Sequence, residues 1–351
     1  MNGLFQSLVT RNFLVAYAGA FLALGSAACR QRDDGMSAQR ALQAVIPEEH
    51  SVGSFTLPAK EVSGLCVYKD PATGLKKILA INDTDKKLLV MDFDELTRGS
   101  LKFESLDLSS WKGSPKPNGS VKSGSQWEAI YADNLGRIYI SNEEAATIEV
   151  FDFKHQQMLG QIELAFKPDD EQFSELKKAW DQDPGSRIEG FTVLPNGHIL
   201  AVKEKNPPAL MEFVPQGQSA QGVSASSLKA SSEEEQPSKF VSWPGVPEKK
   251  LTYYARKVWR PSSEFHEDLD LSEIAITPDG QMALLSDRMR AIYFIGDTLT
   301  LNETTFKRRK TVSLPLEMEK PEGLTFIGLD RALIAIDLKE IKANLYLKHL
   351  K

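Results

Sequence analysis

Nine carboxylates occupy two recurrent places in this sequence of 351 residues. Glu128, Glu189, Glu273 and Glu322 each open a short apolar run, while Asp83, Glu143, Glu204, Asp287 and Asp337 each follow a second apolar run. Gathered by one fold, they would form a ring of like charge, stable only if paired with Arg or Lys, protonated, or bridged by a cation. Calcium, which takes about six to eight oxygen ligands, suits such a ring as a metal site. The plainer alternative is that each glutamate accepts backbone N–H groups of a neighbouring strand, with Arg187, Lys203, Lys205, Arg288 and Arg290 at hand to neutralise the charge. Other catalytic patterns are thin: His50, His155, His198, His266 and His349 do not recur at one place, and there is no nucleophile elbow, zinc-type His pairing or phosphate-cradling glycine loop. A hydrolase built on these residues would be metal-assisted, calcium polarising a phosphate or ester and a carboxylate acting as base.

The elements that must position these side chains repeat. From Arg187 to Phe213, Glu189, Phe191 and Val193 alternate with Gly190 and Thr192, and Pro195-Asn196-Gly197 turns the chain into Ile199 to Val202. The Pro207-Pro208 pair breaks that strand, and Leu210 to Phe213 returns on the same sheet. The template recurs from Ser63, Glu128, Glu273 and Glu322, so the anchors 63, 128, 189, 273 and 322 are 65, 61, 84 and 49 residues apart. Self-similarity at this period predicts an all-β fold, a β-propeller of five blades, or six if the interval from 189 to 273 hides a degenerate one. Outer fourth strands are expected at Leu101 to Leu106, Leu159 to Ala165 and Thr311 to Leu316. The last repeat ends one strand short after Asn344 to Leu347, and Val52 to Leu57 has no sheet of its own. Pairing that N-terminal strand with the last blade closes the ring and removes two exposed edges.

Net charge of -6 and a pI near 5.6 argue against nucleic acid as a partner. Residues 1 to 29 read as a signal peptide outside the fold. Arg11 precedes the apolar Asn12 to Leu24, and Gly25-Ser26-Ala27-Ala28-Cys29 resembles a lipoprotein cleavage box, which makes Cys29 the lipidation site. Ser26 departs from the usual Leu or Val of such a box, and cleavage after Ala28 with plain secretion, or a retained anchor helix, stay as alternatives. An acylated Cys29 leaves Cys66 without a disulfide partner, buried and inert on an inner strand. Residues 30 to 49 form a polar tether, which leaves 50 to 351 for the propeller.

Three insertions interrupt the rhythm. Trp111 to Gln126 is a long Gly-, Ser-, Pro- and Lys-rich loop ending just before Glu128. Asp169 to Asp183 places Phe173, Leu176 and Trp180 at helical spacing, either a lid over the channel or a plug between blades, the plug being preferred. Gln216 to Ser238, low-complexity Ser, Gln, Ala and Glu, is expected to be disordered. The basic run Lys307 to Lys310 reads either as a dock for anionic lipid or polysaccharide or as a solvated outer edge, the edge being preferred.

At these residues the chain resembles a known family. Glu-Gly-Phe with Val-Lys-Glu-Lys-Asn-Pro-Pro in 189 to 208, Asp-Leu-Ser-Glu-Ile with Leu-Ser-Asp in 270 to 287, and Ser-Gly-Leu with Asn-Asp in 63 to 83 are similar to the SdiA-regulated family of exported β-propellers. They are similar more distantly to the esterase-like domain related to phytases. The resemblance covers about 55 to 351 and implies a propeller exported to the cell envelope with calcium at its rim, but no settled activity; Ser63 departs from the acidic pattern. The function expected is a lipid-anchored module facing the periplasm or the cell surface, binding a small molecule, a polysaccharide or an envelope protein. The alternative is a calcium-dependent hydrolase of phosphate, ester or lactone substrates.

Overall fold

Each repeat read from the sequence folds as one antiparallel sheet in the computed structural model, which describes residues 52–97, 100–114, 126–229 and 250–350. After β1 (Val52–Phe55), blade 1 is β2 (Val62–Lys69), β3 (Lys76–Asn82), β4 (Lys87–Asp92) and β5 (Phe103–Asp107). Blade 2 is β6 (Trp127–Ala132), β7 (Arg137–Asn142), β8 (Thr147–Asp152) and β9 (Gln157–Ala165). Blade 3 is β10 (Gly190–Val193), β11 (Ile199–Lys203), β12 (Ala209–Pro215) and β13 (Lys250–Pro261). In blade 4, β14 (Glu273–Ile276), β15 (Met282–Ser286) and β16 (Ala291–Gly296) pair in turn, the short β17 (Thr305–Phe306) reaches across to β13, and β18 (Lys310–Ser313) is the outer strand. Blade 5 is β19 (Pro321–Phe326), β20 (Arg331–Ile336) and β21 (Leu345–His349), with β1 as its fourth strand.

The first strands close a cycle: β2 packs on β6, β6 on β10, β10 on β14, β14 on β19, and β19 on β2. This is a five-bladed β-propeller. The interval from 189 to 273 holds no sixth sheet among the described residues; it supplies β13, which the sequence reading left out. β13 also runs parallel to β9, Lys250 opposite Gln161 through Tyr254 opposite Ala165, and so joins the outer edges of blades 2 and 3. The expected closure is present: β1 pairs antiparallel with β21, from Val52 opposite Lys348 to Phe55 opposite Leu345. Asn344 fastens it, its Oδ1 accepting from the Leu57 N–H at 2.7 Å and its Nδ2 donating to Ala59 O at 2.8 Å.

The core lies between blades, because each small sheet has two apolar faces and covers them only with its neighbours. Between blades 2 and 3 the sheets leave a gap, and the helix α1 (Ser174–Gln182) fills it as a plug rather than roofing the channel. Trp180 packs there edge-on to Phe166 and at a tilt to Phe213, with ring centroids 5.5 and 5.8 Å away. Cys66 is buried on β2, and burial pushes its thiol far above the ordinary range, an inert state. The basic run leads into β18, an edge strand, where Lys310 bonds Leu350 O at 3.0 Å. Of the expected insertion Gln216 to Ser238, the described part is tied down: the Gln221 and Gly222 N–H groups bond the Glu212 carboxylate, Val223 bridges Leu299, and α2 (Ala225–Lys229) buries Leu228. His198, which follows the Pro195-Asn196-Gly197 turn, is buried against that same carboxylate at 2.6 Å. The expected signal segment, Cys29, the expected tether and most of the Trp111 to Gln126 loop lie outside the described residues. Among the described residues no helix is long and apolar enough to cross a membrane.

Candidate functional site

All five inner strands run the same way, so their starts form one mouth of the channel, and each antiparallel second strand ends at that mouth. Two tiers of side chains result. The register aligns Ser63, Glu189, Ser272 and Glu322 in a first tier, each one residue before the position that pairs with its second strand at Gly64, Gly190, Glu273 and Gly323; Glu128 joins them in blade 2, one residue before Ala129, whose N–H bonds Ser141 Oγ on the second strand. Just past the ends of the second strands, Asp83, Glu143, Glu204, Asp287 and Asp337 form a second tier that is acidic in every blade.

A repeated backbone device sets this second tier. Glu61, Gln126 and Lys320 precede the inner strands of blades 1, 2 and 5 in left-handed conformation, with φ of 49°, 56° and 50°. Their carbonyls accept from Asp83, Glu143 and Asp337 N–H at 3.2, 3.0 and 3.0 Å. Left-handed backbone in a non-glycine residue costs about 1 kcal/mol or more and persists only where surrounding bonds enforce it. Gln126 also donates its N–H to Asp83 O at 3.1 Å, stitching blade 2 to blade 1.

Eight of the nine expected carboxylates share this mouth; Glu273 does not. Burial raises Glu128, Glu189 and Glu322 well above the usual carboxylate range, reinforced by one another's and the second tier's charge: Glu143 and Asp83 act on Glu128, Glu143 on Glu189, and Asp337 on Glu322. Burial likewise lifts Glu143 to about 7 and, with Glu61 and Asp337 beside it, Asp83 to about 7. Glu204 and Asp287 are raised as well, burial again first. The carboxyls fall in pairs: Glu189 lies against Glu143, which also accepts the Arg187 N–H at 3.0 Å, and Asp83 lies against Glu61. Glu61 and Asp270 are acidic neighbours that the sequence reading passed over. Asp270 is already satisfied, accepting from Ser286 Oγ and from the Arg288 N–H at 3.0 Å.

Glu273 corrects the ring as read from the sequence. It pairs with Leu285 where Gly190 pairs with Val202, so it sits one residue further along its strand than the other three glutamates, and one residue in a strand reverses the face. Ser272 takes the mouth position, its Oγ accepting the Asp287 N–H at 3.0 Å. The Glu273 carboxyl turns into the channel wall, is 2% exposed, and accepts from the Ile274 N–H at 2.8 Å and from the backbone of Phe191 in the next blade. A Cβ on Gly190 would stand 2.5 Å from Glu273 Oε1, so only glycine admits that carboxyl. The backbone-acceptor alternative therefore holds for this glutamate.

The cations are also redistributed. Lys320, missed in the sequence because it precedes Pro321 in a turn, binds Asp337 and stands 3.6 Å from Glu322. Lys205 binds Glu204. Lys203 is fully buried, and burial lowers its pKa; its ammonium donates to Ser186 O at 3.0 Å, Ser186 Oγ at 3.1 Å and Lys205 O at 2.6 Å, all neutral oxygens. Arg187 turns outward to Trp180 O and Glu144 O at 2.8 and 2.7 Å, Arg288 pairs with Asp268 at 3.4 Å, and Arg290 meets the mouth through its N–H on Asp287 O at 2.9 Å.

As chemistry, the mouth is an all-oxygen donor set of the kind calcium takes. Asp83 Oδ1 and Asp337 Oδ1 are buried with no hydrogen-bond partner. Among the described residues no three His, Cys, Asp or Glu side chains already stand in an arrangement that would hold a metal ion. The donors fit the ion in kind, and loading would require the Glu189–Glu143 and Asp83–Glu61 pairs to open and release any protons they hold.

No family model matches this chain, and no curated protein matches it in sequence. Solved structures similar to it include regucalcin, a calcium-binding protein from Agrobacterium tumefaciens, at 10% identity over 84% of this chain and 93% of that one, TM-score 0.43. Others are the PQQ-bound aldose sugar dehydrogenase from Streptomyces coelicolor, at 12% over 86% and 99%, TM-score 0.41, and virginiamycin B lyase from Staphylococcus aureus, at 12% over 86% and 99%, TM-score 0.39. The propeller assignment rests on the strand order and the closed cycle of inner strands; the SdiA-regulated resemblance goes beyond what these likenesses reach.

Proposed function

We propose that this chain is an exported propeller module, held to the bacterial envelope by a lipid on Cys29, whose acidic mouth takes a divalent cation, calcium by the chemistry of its donors, and through it a ligand. One observation carries the reading: eight carboxylates from all five blades converge on one channel mouth, where the lysines identified among the described residues are Lys203, Lys205 and Lys320. Burial and Coulomb repulsion push these carboxyls toward their protonated forms, and a divalent cation would relieve the repulsion without protons. When bound, calcium would supply a positive centre able to hold an anionic or hydroxyl-bearing ligand. The residues themselves orient it, Asp83, Glu143, Glu204, Asp287 and Asp337 from the second tier and Glu128, Glu189 and Glu322 from the first. Export and anchoring draw support from the apolar Asn12 to Leu24, the small residues before Cys29 and the resemblance to the SdiA-regulated proteins.

The test is thermal unfolding of the full chain at pH 8 with calcium or with chelator, run beside turnover assays on model phosphoesters, esters and lactones. A ligand at about a hundred times its Kd stabilises by about 2.7 kcal/mol, a rise in Tm of several degrees for a chain of this size. A rise without turnover supports a binding module. Calcium-stimulated turnover lost in Glu189→Gln makes the protein a hydrolase, and an unchanged Tm removes the cation.

A further inference from the structure

The face opposite the acidic mouth collects exposed leucines. Because the inner strands start at the mouth, the turns between first and second strands lie at the far face, as do the starts of β5 and β1. Seven large apolar side chains are exposed among the described residues, and four of them lie on that far face: Leu75 at 63%, Leu135 at 51%, Leu329 at 68% and Phe103 at 40%. They belong to three adjacent blades, Leu329 to blade 5, Leu75 and Phe103 to blade 1 and Leu135 to blade 2. The blade 1 and blade 2 turns touch, since a Cβ on Gly136 would meet Pro71 Cγ at 3.1 Å. Nothing in these turns calls for leucine: the Leu135 N–H is held by Asp133 Oδ1 at 2.9 Å whatever its side chain. Singly exposed leucines are ordinary, but a group on one face marks a contact surface.

The strand order says what covers it. Val52 pairs with Lys348 and Arg331 with His349, so the chain enters the propeller through β1 at this same face, on the blade that carries Leu329. The 24 residues from Cys29 to Val52 are expected from their composition to be a polar tether, and a flexible chain of that length spans about 25–30 Å on average. A propeller held by it meets the membrane most often with the face from which the tether leaves. Charge favours the same orientation. The mouth gathers eight carboxylates and is repelled by an anionic leaflet, whereas the far face mixes Lys69, Lys76, Lys102 and Lys154 with Asp70, Asp92, Asp94, Glu104, Asp152 and Asp330 and is repelled less.

We propose that the turn face of blades 5, 1 and 2 lies on the bilayer, with Leu75, Leu135 and Leu329 inserted among the lipid headgroups and the acidic mouth pointing away. The inference rests on the reading that a lipid on Cys29 holds the chain. To test it, the full-length lipidated protein is reconstituted on vesicles of phosphatidylglycerol and phosphatidylethanolamine at about 1:3, some lipids carrying a spin label in their acyl chains. An environment-sensitive fluorophore is placed on Leu135→Cys, or on Ile341→Cys at the mouth face; Cys66 is buried and does not compete. The label at 135 is expected to be quenched about threefold more than the label at 341, and the difference to fall by more than half when Leu75→Asp and Leu329→Asp are added. These exposed substitutions leave the fold intact, which an unchanged Tm confirms. Equal quenching at the two positions, with the protein still sedimenting with the vesicles, overturns the docked orientation and leaves the anchor standing. Protein that does not sediment with the vesicles overturns both.

Discussion

Replacing Glu143 by glutamine isolates the electrostatics of the mouth. Glu143 is 5% exposed, and burial, opposed by the neighbouring Glu189 carboxyl and the Arg187 N–H, lifts its pKa to about 7 from the ordinary 4.5. A displacement of that size is worth roughly 3 kcal/mol for an isolated group, and coupling to Glu189 spreads it over the pair, so about 2 kcal/mol is the working figure. The folded-state pKa is raised, so between about pH 4.5 and pH 7 the native state keeps a proton that the unfolded chain has released. Stability from this source is complete below the unfolded value and is lost as the pH climbs through 7. Glutamine has no proton to lose, yet it can still accept from Arg187 and stay within reach of Glu189. With chelator present, Glu143→Gln should match the wild type at pH 5 and exceed it by about 2 kcal/mol at pH 8. Urea unfolding at pH 5, 6.5 and 8 reads the difference, in which carboxylates elsewhere cancel. A variant less stable than wild type at pH 8 would mean that Glu143 is held charged by a favourable partner, and the crowded-carboxylate argument would fail.

Three further outcomes follow from particular contacts. Gly190→Ala puts a methyl 2.5 Å from Glu273 Oε1 and 2.7 Å from Ile274 N, forcing blades 3 and 4 apart; a loss of about 3 kcal/mol in urea unfolding is expected, and a neutral result would refute the close approach. Lys203→Met strands the Ser186 and Lys205 carbonyls in a buried site, and should cost about 2–4 kcal/mol and loosen the 183–206 region, seen as faster amide exchange there and nowhere else. Trp180→Ala empties the plug between blades 2 and 3 and should lower stability by about 3–5 kcal/mol in the same unfolding assay.

The blades could be read because turn chemistry and alternation punctuate them: Pro195-Asn196-Gly197 and Pro278-Asp279-Gly280 fix two hairpins outright. Closure by β1 could be read for a different reason, since a strand without a sheet and a sheet one strand short solve each other. What stayed hidden depends on pairing that lies far along the chain. Whether Ser272 or Glu273 faces the mouth turns on one residue of register, and Ser-Glu-Ile fits either face until Leu285 is known to lie opposite Glu273. β13 mixes Lys, Tyr, Arg and Trp and takes its second partner from β9, about ninety residues earlier, so no local alternation announces it. Lys320 and Glu61 join the mouth from turns, where charged residues carry no periodic signal.

The central claim is that the carboxylates at the mouth are a cation site. Crystals of the protein soaked in calcium at pH 8 and measured for anomalous scattering test it most directly. The account predicts a peak within bonding distance of carboxylate oxygens from Glu128, Glu189 or Glu322 and from the second tier, lost in Glu189→Gln and kept in Glu273→Gln. A mouth without a peak, its carboxyls still hydrogen-bonded to one another and to Lys320 and Lys205, would contradict it.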